Sequence, residues 1–100
     1  MDPKVADFLE YLGSEKGYSA NTVAAYRNDL SQFTAFVQER LGDDQDLWPR
    51  VTRDLIVQYI DAMRKKEYAS STVARKVAAI KSFFHFLVAE KVLVKDPTAT

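Results

Sequence analysis

Between Ser70 and Glu90 the chain reads SSTVARKVAAIKSFFHFLVAE, and no other stretch limits the possible folds as strongly. At about 100° per residue, Val73, Val77, Ile80, Phe84, Leu87 and Val88 fall within one sector, as a helix lying against a core requires. Ser71, Thr72, Arg75, Lys76 and Ala79 fall on the other side. Short hydroxyl and methyl side chains beside two long cations let a helix sit close to a polyanion. The spacing predicts a helix capped by Ser70 or Ser71 and ending near Glu90 or Lys91. Phe83 and Phe86 widen its apolar sector, so its second half needs cover from the first helix, from the Val92, Leu93, Val94 tail, or from another chain.

The rest of the 100 residues reads as support for this helix. A chain of this length forms one domain and buries about two-thirds of its unfolded surface. Only three Gly and three Pro disfavour a turn-rich β domain, so the expected class is all-α. Cysteine is absent and histidine occurs once, which leaves no thiolate metal site, no HExxH pattern and no expected cofactor. No apolar run approaches transmembrane length, and MDPKVADF lacks the features of a signal peptide. A cytoplasmic protein without a membrane partner is expected. The formal net charge is zero, yet residues 1–50 hold nine acids against five bases and residues 51–100 the reverse. From Arg64 to Lys81 Glu67 is the only anion among six cations, a local field that matters more to a polyanion than the total.

Taken in order, Asp2 and Pro3 open a first helix carrying Val5, Phe8, Leu9 and Leu12, which is expected to end near Lys16 with Gly17 left-handed behind it. Ser19 caps a second helix over 20–41, with Val23, Tyr26, Leu30, Phe33, Val37 and Leu41 as its stripe and Gly42 as its stop. Its first turn offers the backbone N–H groups of Asn21 and Thr22 at the positive end of the helix dipole, suited to a phosphate or simply to capping. Arg27, one turn on, reaches a phosphate or pairs with an acid. In the acidic connection GDDQDLWPR, Leu47 and Trp48 are expected to pin the chain to the core, Trp48 as a packing residue. Thr52 caps a third helix with Leu55, Ile56, Tyr59, Ile60 and Met63 inward. It ends in Arg64, Lys65 and Lys66, cations that the helix dipole also favours. Asp96-Pro97 ends regular structure, and the last residues read as the start of a linker in a chain cut from something longer.

Two of these helices carry a family pattern. Ser19, Asn21, Thr22, Tyr26, Asp29, Leu30, Phe33 and Phe36 form SxNTxxxYxxDLxxFxxF, and SSTVARKVAAIKSFFHFL is followed by KVLVKDP. Together they resemble the N-terminal core-binding domain of the tyrosine recombinases, the phage-integrase and Xer-type family, over nearly the whole chain. The resemblance implies a four-helix, SAM-like bundle of two crossed helical hairpins, with a core-binding domain over 1–95 and a linker from 96 to 100. It implies one half of a clamp on double-stranded DNA at a recombination core site, working with other protomers in a tetramer. The fragment itself would be monomeric without DNA. By position, Asn21, Thr22 and Arg27 would meet phosphates, and Ser71, Thr72, Arg75, Lys76 and Ala79 would lie along the groove, Arg75 and Lys76 touching base edges. Lys65 and Lys66 join this set. The family commonly turns through Gly before its last helix, whereas this chain has Lys-Lys-Glu-Tyr-Ala-Ser, which allows a longer or differently bent third helix.

The family's catalytic Arg, Lys, His and Tyr set belongs to a second domain beyond Thr100, so no catalytic residue is expected here. Two readings follow: a DNA-binding domain of a recombinase that cuts and rejoins strands, or a helical protein-interaction module docking through Phe83, Phe86 and the tail.

Overall fold

The computed structural model describes residues 1–42 and 46–99. Residues 43–45 of the acidic connection, and Thr100 at the end of the expected linker, lie outside the described residues. Four helices follow one another: α1 (Pro3–Ser14), α2 (Ala20–Leu41), α3 (Arg53–Lys65) and α4 (Ser70–Ala89), with a short 3-10 turn, Trp48–Arg50, before α3. Among the described residues there is no strand. The class is all-α, as the apolar periodicity requires.

Each helix start follows its local chemistry. The Asp2 carboxylate accepts from the Lys4 and Val5 N–H groups at 2.8 and 3.1 Å, and the same oxygen accepts from the Trp48 indole at 3.0 Å. Ser19 Oγ accepts from Thr22 N–H at 3.2 Å, and Thr52 Oγ1 from Leu55 N–H at 3.2 Å. The exception is α4. Its N-cap is Ala69, with no side-chain cap bond, so neither Ser70 nor Ser71 has the expected capping role.

The helix ends differ more from expectation. Helix α1 stops at Ser14, two residues short of Lys16, and Gly17 takes φ +68° while Tyr18 N–H reaches the Leu12 carbonyl. After α3, Glu67 adopts φ +62° within the Lys-Lys-Glu-Tyr-Ala-Ser turn that leads to α4. Its N–H donates to the Arg64 carbonyl at 2.9 Å and that of Tyr68 to the Met63 carbonyl at 3.3 Å. These are the two bonds of a Schellman motif, so α3 ends sharply at Lys65 without running on. Lys91, at φ +61°, closes α4 in the same way, with Lys91 and Val92 N–H bound to the Val88 and Leu87 carbonyls.

The centre of the core is the seam between α2 and α4. Leu30, Phe33, Val37, Ile80, Phe83, Phe84 and Leu87 are fully withdrawn from solvent. Helix α1 covers one side through Val5, Phe8, Leu9 and Leu12, and α3 the other through Leu55, Ile56, Tyr59 and Met63. Trp48 stands edge-on to Phe83 at 4.8 Å between ring centres and is buried, a packing residue as expected.

Of the three covers open to Phe83 and Phe86, α1 supplies the main one. Phe8 sits 5.6 Å from Phe83 and 5.3 Å from Phe86, and Tyr11 5.1 Å from Phe86. Of the expected docking patch, Phe83 is fully buried and Phe86 half-buried against α1. Leu93 folds back onto the core, whereas Val94 is exposed. Regular structure ends at Ala89, and the exit is tied down. Asp96 accepts from Thr98 N–H at 2.8 Å, its carboxylate lies 3.1 Å from His85 Nε2, and Arg53 donates to the Ala99 carbonyl.

Candidate nucleic-acid interface

The site begins with a charge in an awkward place. Asp29 follows Tyr26 by one helical turn and precedes Leu30, so the periodicity that buries its neighbours draws it inward, and it is 3% exposed. A carboxylate withdrawn from water requires a cation and hydrogen bonds. Helix α4 provides both from adjacent positions. Arg75 donates from Nε to Oδ2 at 3.2 Å and from Nη2 to Oδ1 at 3.0 Å. Lys76 Nζ donates to Oδ1 at 2.9 Å and to Gln32 Oε1 at 2.7 Å. Gln32, one turn after Asp29, passes the network on through Nε2 to the Tyr68 hydroxyl at 2.9 Å. Two cations share one anion, which leaves the cluster with one positive charge.

This arrangement corrects the expected surface of α4. Lys76 and Ala79 were expected along the open face, yet they are 5% and 3% exposed. The solvent face runs through Ser71, Ala74, Arg75, Ala78, Lys81 and His85, turned about a quarter turn from the predicted one at 100° per residue. The physical reason is Asp29. Its buried charge pulls Lys76 inward, and Ala79, having only a methyl group, allows α2 and α4 to approach closely. Lys76 is thus an internal counterion, withdrawn from any base edge.

Arg75 remains at the surface, its side chain 56% exposed. It borders an open groove of about 380 Å³ between the first turns of α2 and the middle of α4, with Asn21, Thr22, Ala25 and Tyr26 opposite and Ala78 and Ala79 beside it. The structure therefore brings Asn21, Thr22, Arg75 and Ala79 together. Thr22 differs from expectation in one respect: its N–H is taken by Ser19, leaving those of Ala20 and Asn21 without a partner among the described residues. Arg27 is exposed and makes no ion pair among the described residues. Ser71 is exposed and Thr72 half-buried, and neither lines this groove. Lys65 and Lys66 are exposed at the end of α3. Lys66 borders a separate, smaller cavity beside Gln32 and Tyr59.

On the far side of the α4 ridge lies a second open groove of about 400 Å³, floored by Ile60, Val73 and Val77, with the cations Arg64 and Lys81 along it. Ala78 lines both grooves. Asp29, Gln32, Ala78 and Lys81 were missed as site residues. Asp29 left one signal, a carboxylate flanked by Tyr26, Leu30 and Phe33.

Beside the network the Tyr59 hydroxyl is buried with no hydrogen-bond partner among the described residues. Burial, with Tyr68 and Asp29 nearby adding to it, pushes its phenol well above the usual tyrosine range. Among the described residues no group of acids and histidine could hold a metal ion, and no helix is long and apolar enough to cross a membrane.

Comparison with known proteins places the chain in a family. Residues 5–91 match the family model described as phage integrase, N-terminal SAM-like domain. The chain is similar to tyrosine recombinase XerC of Roseiflexus castenholzii, 46% identical over 98% of this chain and 30% of the relative. XerC of Herpetosiphon aurantiacus is 42% identical over 98% of the chain and 31% of the relative. XerC of Listeria monocytogenes serotype 4a is 38% identical over 90% and 29%. The chain thus spans less than a third of the length of these relatives. No solved structure matches it significantly. With the family model covering α1 to the end of α4, the chain belongs to the phage integrase N-terminal SAM-like domain family.

Proposed function

We propose that this chain binds double-stranded DNA as the core-site clamp domain of a site-specific tyrosine recombinase, with residues 1–95 as the binding domain and 96–100 as the start of a linker. The observation that carries the reading is the uncompensated positive charge of the Asp29, Arg75 and Lys76 cluster, set at a groove between two helices. Lys81 and Arg64 extend the positive surface along the α4 ridge, and the small side chains Ser71, Ala74 and Ala78 let that ridge approach a duplex closely. Phosphate contacts from Arg75, Lys81 and the start of α2 supply most of the affinity. Strand cleavage and rejoining belong to residues outside this chain, which acts in the cytoplasm beside other protomers assembled as a tetramer on DNA and is monomeric without it.

The test is a salt titration of binding to duplex DNA by fluorescence anisotropy. Log affinity falls with log salt by about 0.9 for each phosphate neutralised, and Lys81→Ala flattens the slope by about one such step. Affinity that ignores salt, or no binding at low salt, overturns the reading. The protein-docking alternative loses Phe83, which is fully buried under α1, while Phe86 is half-buried beside Phe8 and Tyr11.

A further inference from the structure

Helix α3 carries a stripe that the core leaves uncovered. Arg53, Val57, Ile60 and Arg64 recur at i, i+4, i+7 and i+11 and so share one face. Val57 is 47% exposed, the one strongly exposed large apolar side chain inside a helix among the described residues. On α4, Ser70, Ala74, Val77 and Lys81 repeat the same spacing. The stripes run antiparallel: Ser70 and Ala74 meet Ile60 and Arg64 in the 400 Å³ groove, and Val77 and Lys81 meet Arg53 and Val57 in another of about 180 Å³. Ile60, Val77 and Lys81 line both, so the two join into one trough about 16 Å long, the rise of eleven helical residues. Every charged residue lining it is a cation, and Arg53, Arg64 and Lys81 make no ion pair among the described residues.

We propose that this trough docks an acidic amphipathic helix of a partner protein, with its apolar stripe on Val57, Ile60 and Val77 and its carboxylates against Arg53, Arg64 and Lys81. The inference goes beyond DNA binding and does not depend on it. An exposed valine beside a half-buried isoleucine and valine offers a phosphate nothing, but gains from burial against aliphatic side chains. Two antiparallel helices leave between their ridges a groove that a third helix fills, and about three turns span this one. Charge then selects among helices, because cations at both ends attract carboxylates and repel a basic partner. Arg64 and Lys81 stand at the border with the surface proposed for DNA, whereas Arg53 and Val57 lie outside it.

The experiment titrates the full, isotope-labelled 100-residue chain by NMR with a synthetic helix of about four turns that carries Leu at i, i+4, i+7 and i+11 and Glu on both flanks. A second peptide has Lys in place of Glu. The Glu peptide shifts the methyl signals of Val57, Ile60 and Val77, and the Lys peptide binds about tenfold more weakly or worse. Val57→Glu weakens the Glu peptide by about tenfold or more, yet melts as wild type does and keeps the salt slope on DNA. Equal affinity for the two peptides, no binding of the Glu peptide at millimolar concentration, or shifts centred on Tyr26 and Arg75 overturns the inference. Duplex DNA that shifts the Val57 and Ile60 methyl signals assigns the trough to nucleic acid, and a dimer abolished by Val57→Glu assigns it to a second copy; either result overturns the inference too. Failure to bind DNA overturns only the DNA-binding reading.

Discussion

Lys76 Nζ lies 2.9 Å from Asp29 Oδ1, and both side chains are sealed in the seam between α2 and α4. Such a pair is strongly asymmetric under mutation. Removing one partner strands a buried charge, while replacing both with apolar groups removes the desolvation cost along with the attraction. Asp29→Ala is therefore expected to lower the unfolding free energy by about 3–5 kcal/mol, and the double change Asp29→Leu, Lys76→Met to recover most of that loss. Urea denaturation of the single and double variants checks it, and an equally destabilised double variant would contradict it.

The buried Tyr59 hydroxyl lacks a partner among the described residues, so Tyr59→Phe removes an unsatisfied polar atom without opening a cavity. Leaving such a group unpaired costs about 1–3 kcal/mol, and the variant should equal or exceed wild type in stability. The sign with pH follows from burial. The phenol is raised in the folded chain, so above about pH 10 the unfolded chain releases the proton first and stability falls as pH rises. Below that value the contribution is complete. Thermal melts from neutral to alkaline pH should show a shallower decline for Tyr59→Phe.

Glu67 occupies the left-handed position of a Schellman motif, a conformation that costs a side-chain-bearing residue about 1–2 kcal/mol. Glycine removes the strain but has more freedom to lose on folding, by about 0.5–1 kcal/mol. Glu67→Gly should thus stabilise by roughly 0.5–1 kcal/mol, raising Tm by about 2–8 °C. Calorimetry that finds a lower Tm would show that Glu67 makes a compensating interaction.

Phe83 separates packing from docking. It is fully buried between Phe8, Trp48 and Phe84, so Phe83→Ala should cost about 3–5 kcal/mol through the cavity it leaves. Sedimentation of the folded fraction should give the same mass as wild type. Unchanged stability with an altered mass would restore a protein-docking role.

Much of the fold was legible because its punctuation is local. Asp2 with Pro3, Ser19, Thr52, Gly17 and Gly42 each act within a few residues of themselves, so second-helix bounds of 20–41 could be read directly and match the structure. What lay beyond reach was tertiary. Lysine is seldom fully buried and alanine is indifferent, so Lys76 and Ala79 gave no sign that they face α2. Only Asp29, on another helix 47 positions away from Lys76, determines that α4 rolls by a quarter turn. Glu67 was illegible for a related reason: hydrogen bonds back to Met63 and Arg64 hold it in a conformation that its own side chain disfavours.

The contact of Ala79 with the face of α2 has a consequence for recognition. A methyl group and an ionic cluster join the two helices along the groove, so that wall holds fewer long, freely rotating side chains than an ordinary surface. A ligand seated there need not draw two mobile walls together, so little conformational freedom remains to be lost.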